Sequence, residues 1–231
     1  MQSIQTTAQA HESKLYYEFS HLYDLVFARF FFPRIKTVIR DLRIEPGAKV
    51  LELGVGTGLS LGAYPRHSEV LGVDLAPDML EHARERIDRN AWGHIGVLQM
   101  NAMDLSLPDS SFDYVMAFHV VSVVPDAVQL MREAQRVCRP GGKIVVINHF
   151  RSEKRVLAAL DRRMEPVTRR VGWHTLRRAD VFDDPGLAIE HVYKTSRRSL
   201  FTIVVAENRK EAIELMPRAE TGFHGYDAVA Q

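Results

Sequence analysis

Two acids and a run of glycines carry the first chemical information in this sequence. Glu52 stands two residues before Gly54-Val55-Gly56-Thr57-Gly58, and Asp74 follows sixteen residues after Gly58. The stretch Lys49–Leu53 reads as a short strand running straight into the glycines. Glycine at alternating positions permits a tight turn and lets a ligand approach the backbone closely. A dinucleotide fingerprint would need glycine at position 59, which is leucine. An acid inside the strand would also repel a pyrophosphate, whereas it suits a cation. Asp74, at the end of the next strand, can accept both hydroxyls of a ribose. His119, His149, Tyr16 and Tyr23 are the candidates for moving a proton. The single cysteine, Cys138, cannot build a thiolate metal site or an intramolecular disulfide. No clustered His, Cys or Asp spacing indicates a metal, and no serine or cysteine nucleophile motif is present.

The elements that position these residues alternate along the chain. Residues 12–43 read as one or two helices, with Pro33 as a break or as the first turn of the second. Glu69–Asp74, 94–100 and 111–118 read as strands, and Pro77–Arg89 and about 126–138 as helices. Asp78 and Glu81 in the first turn of Pro77–Arg89 favour its N-terminus. Residues 59–64 are expected to begin a helix, and Arg139-Pro140-Gly141-Gly142 reads as a tight turn into a strand over 143–149. A basic helical segment is expected over 152–170, and the tail from Asn208 reads as poorly packed. The β-rich stretches 187–195 and 199–206 are close enough for a hairpin. The order predicts an α/β, doubly wound, mostly parallel sheet with one antiparallel edge strand.

Glu52-x-Gly54-x-Gly56-x-Gly58, followed by Val73-Asp74-Leu75-Ala76-Pro77-Asp78-Met79-Leu80, resembles the class I S-adenosylmethionine-dependent methyltransferases. The resemblance runs from residue 48 to about 150. It takes in Asn101-Ala102-Met103-Asp104, Phe112-Asp113-Tyr114-Val115 and the Arg139-Pro140-Gly141-Gly142 segment. It implies the seven-stranded Rossmann-like fold of that family, with S-adenosylmethionine as cofactor and S-adenosylhomocysteine as product. It further implies that Glu52 organises the methionine end of the cofactor. Gly54, Gly56, Thr57 and Gly58 would lie under the cofactor, Asp74 would hold the ribose, and Leu75 and Met79 would flank the adenine. Many relatives carry aspartate where Asn101 stands. The Asn101 amide oxygen can accept the same bond from the adenine amino group, more weakly because it is neutral. Ala102 would offer its backbone N–H, with Met103 and Tyr17 also at the cofactor. Phe118 and His119 would stand beside the transferred methyl.

Tyr16, Tyr17, Ser20, Tyr23 and Asp24, together with Asn148-His149-Phe150, resemble the soluble bacterial phosphatidylethanolamine N-methyltransferases. Quinone C-methyltransferases share the layout and a similar Tyr-Asp near the start. The resemblance therefore implies methyl transfer to the amine of phosphatidylethanolamine and its mono- and dimethyl products, toward phosphatidylcholine. A quinone or another small molecule is the alternative acceptor. A non-catalytic S-adenosylmethionine-binding module is the alternative of another class.

A lipid acceptor gives a role to the cluster Phe27, Phe30, Phe31 and Phe32. Phe27, Phe30 and Phe31 share one helix face, flanked by Arg29, Arg34 and Lys36. Such a helix can sink into an acyl boundary while its cations meet lipid phosphates, or it can be a lid packed on the domain. Between positions 151 and 178 there are nine Lys or Arg and three acids, including Arg151, with Trp173 among them. The formal net charge is only +1, which disfavours nucleic acid as a partner. The expected organisation is a helical lid and membrane-contact segment over 1–43 and a cofactor-binding domain over 44–207. A basic insertion, 151–178, would lie over the active site, and 208–231 would form a tail. No run reaches the length of a membrane-spanning helix, and the N-terminus lacks a secretory core. The expected location is cytoplasmic, peripherally on the inner face of the cytoplasmic membrane, with an anionic lipid surface as partner.

Overall fold

The computed structural model describes residues 31–150, 176–184, 186–196 and 199–210. The expectations for Tyr16, Tyr17, Tyr23, Phe27, Phe30, Arg151, Trp173 and the basic segment 152–170 fall outside them.

The described chain begins with α1, Phe32–Leu42, which has Pro33 in its first turn. Proline suits that place because its missing N–H would have no partner in the helix. Ile35, Val38 and Ile39 share one face and are buried, and Arg43 ends the helix in the left-handed region. The strands are β1 Lys49–Leu53, β2 Glu69–Asp74, β3 Ile95–Gln99, β4 Phe112–Phe118, β5 Cys138–Asn148, β6 Leu187–Tyr193 and β7 Thr202–Asn208. They form a seven-stranded sheet in the order β3-β2-β1-β4-β5-β7-β6. The pairs β2–β3 and β4–β5 are parallel. β1 and β4 are buried along nearly their whole length, as parallel strands covered on both faces must be.

Two compact units divide the chain. One takes in the chain up to Ala48 and Glu52–Ala102, and the other takes in Lys49–Leu51 and everything from Met103 on. In the first, α2 (Pro77–Arg89) has Asp78 in its opening turn and Arg86 and Arg89 in its last, matching the helix dipole at both ends. It buries Leu80 and Ala83. In the second, α3 (Ala127–Val137) starts at Asp126, whose carboxylate accepts the Gln129 backbone N–H at 2.9 Å. Its buried stripe is Leu130, Met131, Ala134 and Val137. A short helix, α4 (Arg178–Phe182), buries Val181 and Phe182.

Four expectations need correction or refinement. The helix expected to begin at 59–64 is a single 3-10 turn, Leu61–Ala63. Pro65 pushes Tyr64 into the extended region, at φ −72° and ψ 140°, and so stops the helix. The Arg139-Pro140-Gly141-Gly142 segment is part of β5 rather than a turn before it. Phe112 faces Cys138 while Tyr114 faces Lys143, so β5 carries three more residues than β4 across that step. Gly141, at φ 74°, absorbs the excess as a bulge. The antiparallel strand is β7, paired with β5 on one side and β6 on the other, one place in from the edge. Lastly, Asn208 is not loosely packed. It is fully buried, and its side-chain amide donates to the carbonyls of Gln135 (2.9 Å) and Cys138 (2.7 Å).

Candidate active site

The glycine loop follows β1 directly. Gly54, Gly56 and Gly58 have φ of 70°, 54° and 75°, a region that a Cβ disfavours. The first turn is fixed to β2, because the N–H groups of Gly54 and Val55 both donate to the Val73 carbonyl, at 2.8 and 3.0 Å. Space matters most at Gly58. A Cβ there would sit 2.8 Å from Leu61 Cδ1 and 3.1 Å from Ala83 Cβ, so only glycine lets the loop pack on α2. At Gly56 a Cβ would meet no atom of the described residues within 4 Å, so among them this side of the loop is open. Arg86 of α2 donates to the Thr57 carbonyl at 3.2 Å and braces the loop from below.

Asp74 ends β2 beside this loop. One carboxylate oxygen accepts the Gly56 N–H at 2.8 Å and the other accepts the Ala76 N–H at 3.0 Å. The carboxylate is thereby aimed, and each oxygen keeps a lone pair for a ribose hydroxyl. Leu75 follows with 65% of its surface exposed. Its carbonyl accepts from Gln99 Nε2 at 3.1 Å, which fixes the backbone below an exposed apolar side chain. Met79, on α2, is half-buried. Asn101 and Ala102 follow β3 and are half-buried.

Glu52 is the strongest electrostatic feature. It is 2% exposed. Ser60 Oγ donates to one of its oxygens and Tyr64 Oη to the other, each at 2.6 Å. Burial pushes its pKa up to about 7; the two hydroxyl bonds pull it down and the charge of Asp74 pushes it up. Tyr64 is driven well above its ordinary value by burial, then by the charge of Glu52 and the bond to it, so the phenol keeps its proton and acts as the donor. Two acids with open glycine backbone between them, and among the described residues no base bearing on the buried one, fit a cation that also carries ribose hydroxyls.

In the second unit, Met103 lies on a loop that α3 clamps. Gln129 Nε2 donates to the Met103 carbonyl at 3.2 Å, and the Leu105 N–H donates to Glu133 at 2.7 Å. Arg136 donates to the carbonyls of Leu105 and Leu107, at 2.7 and 2.8 Å, and to Asp109 and Glu133, at 2.6 and 2.8 Å. Phe118 is buried at the end of β4, and His119 follows with φ 63°. A non-glycine residue held in that region stores strain, which tends to collect where geometry serves function. The His119 ring meets Phe201 edge-on, with centroids 4.7 Å apart, and Phe201 also lies 6.3 Å from the His149 ring. His149 Nδ1 lies 2.9 Å from the Leu200 carbonyl. A carbonyl only accepts, so Nδ1 is the donor in this bond. Beneath it, Ser122 Oγ donates to the buried Asn148 side chain at 3.0 Å.

Several of these residues escaped the sequence reading. Ser60 and Tyr64 stand four apart in an otherwise apolar stretch just after the loop, a signal that an amphipathic assignment overlooks. Arg86 was visible only as a surface charge, and Phe201 only as one apolar residue of a β-rich stretch. Phe31 and Arg34 stand at the start of α1 and both are half-buried. Burial lowers the proton affinity of Arg34.

The sheet order, the glycine loop and the paired acids define a Rossmann-like fold of the methyltransferase type. A family profile described as a methyltransferase domain matches residues 51–146. The chain belongs to the S-adenosylmethionine-dependent methyltransferases, and S-adenosylmethionine is its cofactor. A phosphatidylethanolamine N-methyltransferase from Cereibacter sphaeroides is 39% identical over 165 residues, which are 71% of this chain and 81% of that protein. A demethylmenaquinone methyltransferase from Anoxybacillus flavithermus is 32% identical over 116 residues, 48% of this chain and 49% of that one. In three dimensions, an S-adenosylmethionine-dependent methyltransferase from Methanosarcina mazei superposes with a TM-score of 0.62 at 19% identity. That match covers 75% of this chain and 98% of the other.

Proposed function

We propose that this methyltransferase acts on the headgroup amine of phosphatidylethanolamine and of its mono- and dimethyl products, toward phosphatidylcholine. The observation that carries this reading is the likeness to the Cereibacter sphaeroides protein, which reaches across 81% of that relative. S-adenosylmethionine, when bound, supplies a methyl group on a positively charged sulfur and leaves as S-adenosylhomocysteine. Glu52, the glycine loop and Asp74 would hold its cationic and ribose parts. A headgroup nitrogen must present a lone pair to the methyl carbon, so its ammonium must first lose a proton. His149, whose Nδ1 meets the Leu200 carbonyl, is the first candidate to take that proton. His119 is the second candidate, and Phe201 lies against both rings.

A demethylmenaquinone-type acceptor is the second reading, favoured by the 32% identity over 116 residues. Both acceptors are lipids. We further propose that the protein binds anionic membrane surfaces peripherally from the cytoplasmic side, through 14–36 with help from 151–178, where basic and aromatic residues concentrate. No described helix is long and apolar enough to cross a membrane. The test is incubation with S-adenosylmethionine and mixed phosphatidylethanolamine/phosphatidylglycerol vesicles, with the lipids read by mass spectrometry. Headgroups heavier by one, two or three methyls are expected. Intact cofactor binding with no gain in headgroup mass would overturn the phospholipid reading, and the same assay with demethylmenaquinone in the vesicles would then decide the second. Equal recovery in the supernatant with and without phosphatidylglycerol vesicles at low salt would remove the membrane proposal.

A further inference from the structure

Leu200 stands in the turn between β6 and β7 with 66% of its surface exposed. An exposed leucine alone says little, because folded proteins leave much apolar surface in water. This one is held in place. Ser199 before it is buried, and Phe201 after it is half-buried. The Ser199 hydroxyl donates to the Phe201 carbonyl at 3.0 Å and accepts the Phe201 N–H at 3.2 Å. Lys194 Nζ donates to the Ser199 carbonyl at 3.1 Å and ties the start of the turn to its end. The Leu200 carbonyl itself accepts from His149 Nδ1 at 2.9 Å. An apolar side chain is thereby presented to solvent on the very residue that anchors the first candidate for the headgroup proton. Asn148, the last residue of β5, pairs with Thr202, the first of β7, and Ile147 pairs with Phe118, the last of β4. The turn therefore lies where β4 and β5 finish, the end of an open α/β sheet at which ligands bind. In sequence, 194–201 holds three Lys or Arg and no acid.

We propose that Leu200 is a membrane-docking residue, whose side chain enters the acyl boundary of an anionic phospholipid bilayer and so sets His149 at the depth of the headgroups. The positive charge of 194–201 meets the lipid phosphates. One exposed apolar side chain among three bases matches a surface that is negative at its headgroups and apolar just below them. A second copy of this chain fits the turn less well, because it would bring the same positive charges together. Burying a leucine side chain raises partition into an apolar phase roughly 10- to 100-fold. A single residue of this kind orients a protein on a bilayer without anchoring it there. The contact is separate from 14–36 and 151–178, and it deepens the lipid reading of the acceptor, on which it rests.

The experiment places a fluorophore at this residue in the full-length protein. Cys138, the single cysteine, is buried, so Leu200→Cys can be labelled selectively with an environment-sensitive nitrobenzoxadiazole group. Ile189→Cys is the control, because Ile189 is 43% exposed but lies on β6 about 13 Å along the strand from Tyr193 at the turn. Phosphatidylethanolamine/phosphatidylglycerol vesicles are then added at low salt. The label at 200 is expected to brighten and shift to the blue, and the label at 189 to stay unchanged. Leu200→Ser, unlabelled, is expected to lower the vesicle partition coefficient about tenfold. An unshifted label at 200, or an unchanged partition coefficient for Leu200→Ser, overturns the proposal. Equal shifts at 200 and 189 overturn it as well, since they mean adsorption without orientation. A label at 200 that is already blue-shifted before vesicles are added, and stays so, means that another segment of the chain covers the residue. A shift that follows protein concentration and not lipid means that a second copy does. Either result overturns the proposal. The same vesicles are finally assayed for methylated headgroups. Methylated lipid with a silent label at 200 strikes this inference alone, whereas a shifted label without methylated lipid strikes the acceptor reading and leaves the docking contact standing.

Discussion

Replacing Glu52 by glutamine should make the protein more stable in alkali and slightly less stable in acid. Burial raises the Glu52 carboxyl from its ordinary value of 4.5 to about 7. Between those values the folded protein holds a proton that the unfolded chain has lost. Stability from this group is therefore fully present below pH 4.5 and is lost as pH rises through 7. The shift corresponds to about 3 kcal/mol of stability lost by wild type across that window. Glutamine has the same shape, accepts from one hydroxyl and donates to the other, and does not ionise. One reversed hydrogen bond costs about 1 kcal/mol at every pH. Glu52→Gln should thus be about 1 kcal/mol less stable than wild type at pH 4.5 and about 2 kcal/mol more stable at pH 8. Urea denaturation at pH 4.5, 6, 7 and 8, at constant ionic strength, measures the difference. Parallel stability curves for the two proteins would refute the reasoning, because they would mean that the buried carboxyl does not titrate in this range. Saturating S-adenosylmethionine should return most of the lost stability to wild type at pH 8.

Three further outcomes follow from the same geometry. Gly58→Ala places a methyl 2.8 Å from Leu61 and 3.1 Å from Ala83 at φ 75°, and should lower stability by about 2–4 kcal/mol with a fall in cofactor affinity, read by thermal denaturation and calorimetry. Arg136→Met cuts the three hydrogen bonds, to Leu105, Leu107 and Asp109, by which Arg136 holds the loop 103–109 to α3; a loss of about 2–3 kcal/mol is expected, with faster amide exchange confined to that loop. His149→Gln removes the proposed proton acceptor while glutamine can still donate to the Leu200 carbonyl. The methylation rate at pH 7 should fall roughly 100-fold and recover as pH rises, with cofactor affinity unchanged.

The sequence showed the sheet because its strands are buried on both faces and read as short apolar runs between punctuating residues. Pro77 and the acid behind it marked the start of α2. The glycine loop and the acid after it were legible for a related reason: glycines at alternating positions after a strand mark a tight turn with open backbone. What stayed hidden depends on contacts distant in the chain. The pairing of Asn208 with Gln135 and Cys138 spans some seventy residues, and no local pattern announces it. The bulge in β5 depends on how β4 registers against it, which a single segment does not encode. Ser60 and Tyr64 look like ordinary helix residues until Pro65 is given its full weight. Phe201 belongs to a strand entry, and its meeting with His119 and His149 depends on β7 lying beside β5.

The position of β7 also sets a timetable for synthesis. β5 pairs with β7, so the open edge of β5 waits for residues that follow Asn148 by 54 positions or more. At about 5–20 residues per second, that edge stays unpaired on the ribosome for roughly 3–10 s. β6 is made earlier, yet among the described residues its one partner in the sheet is β7, so it too must wait. An unpaired edge strand invites association with other nascent chains. Residues 202–208 therefore act as the closing piece of the sheet, and any truncation that removes them should appear first as insolubility during expression, before a cofactor is ever bound.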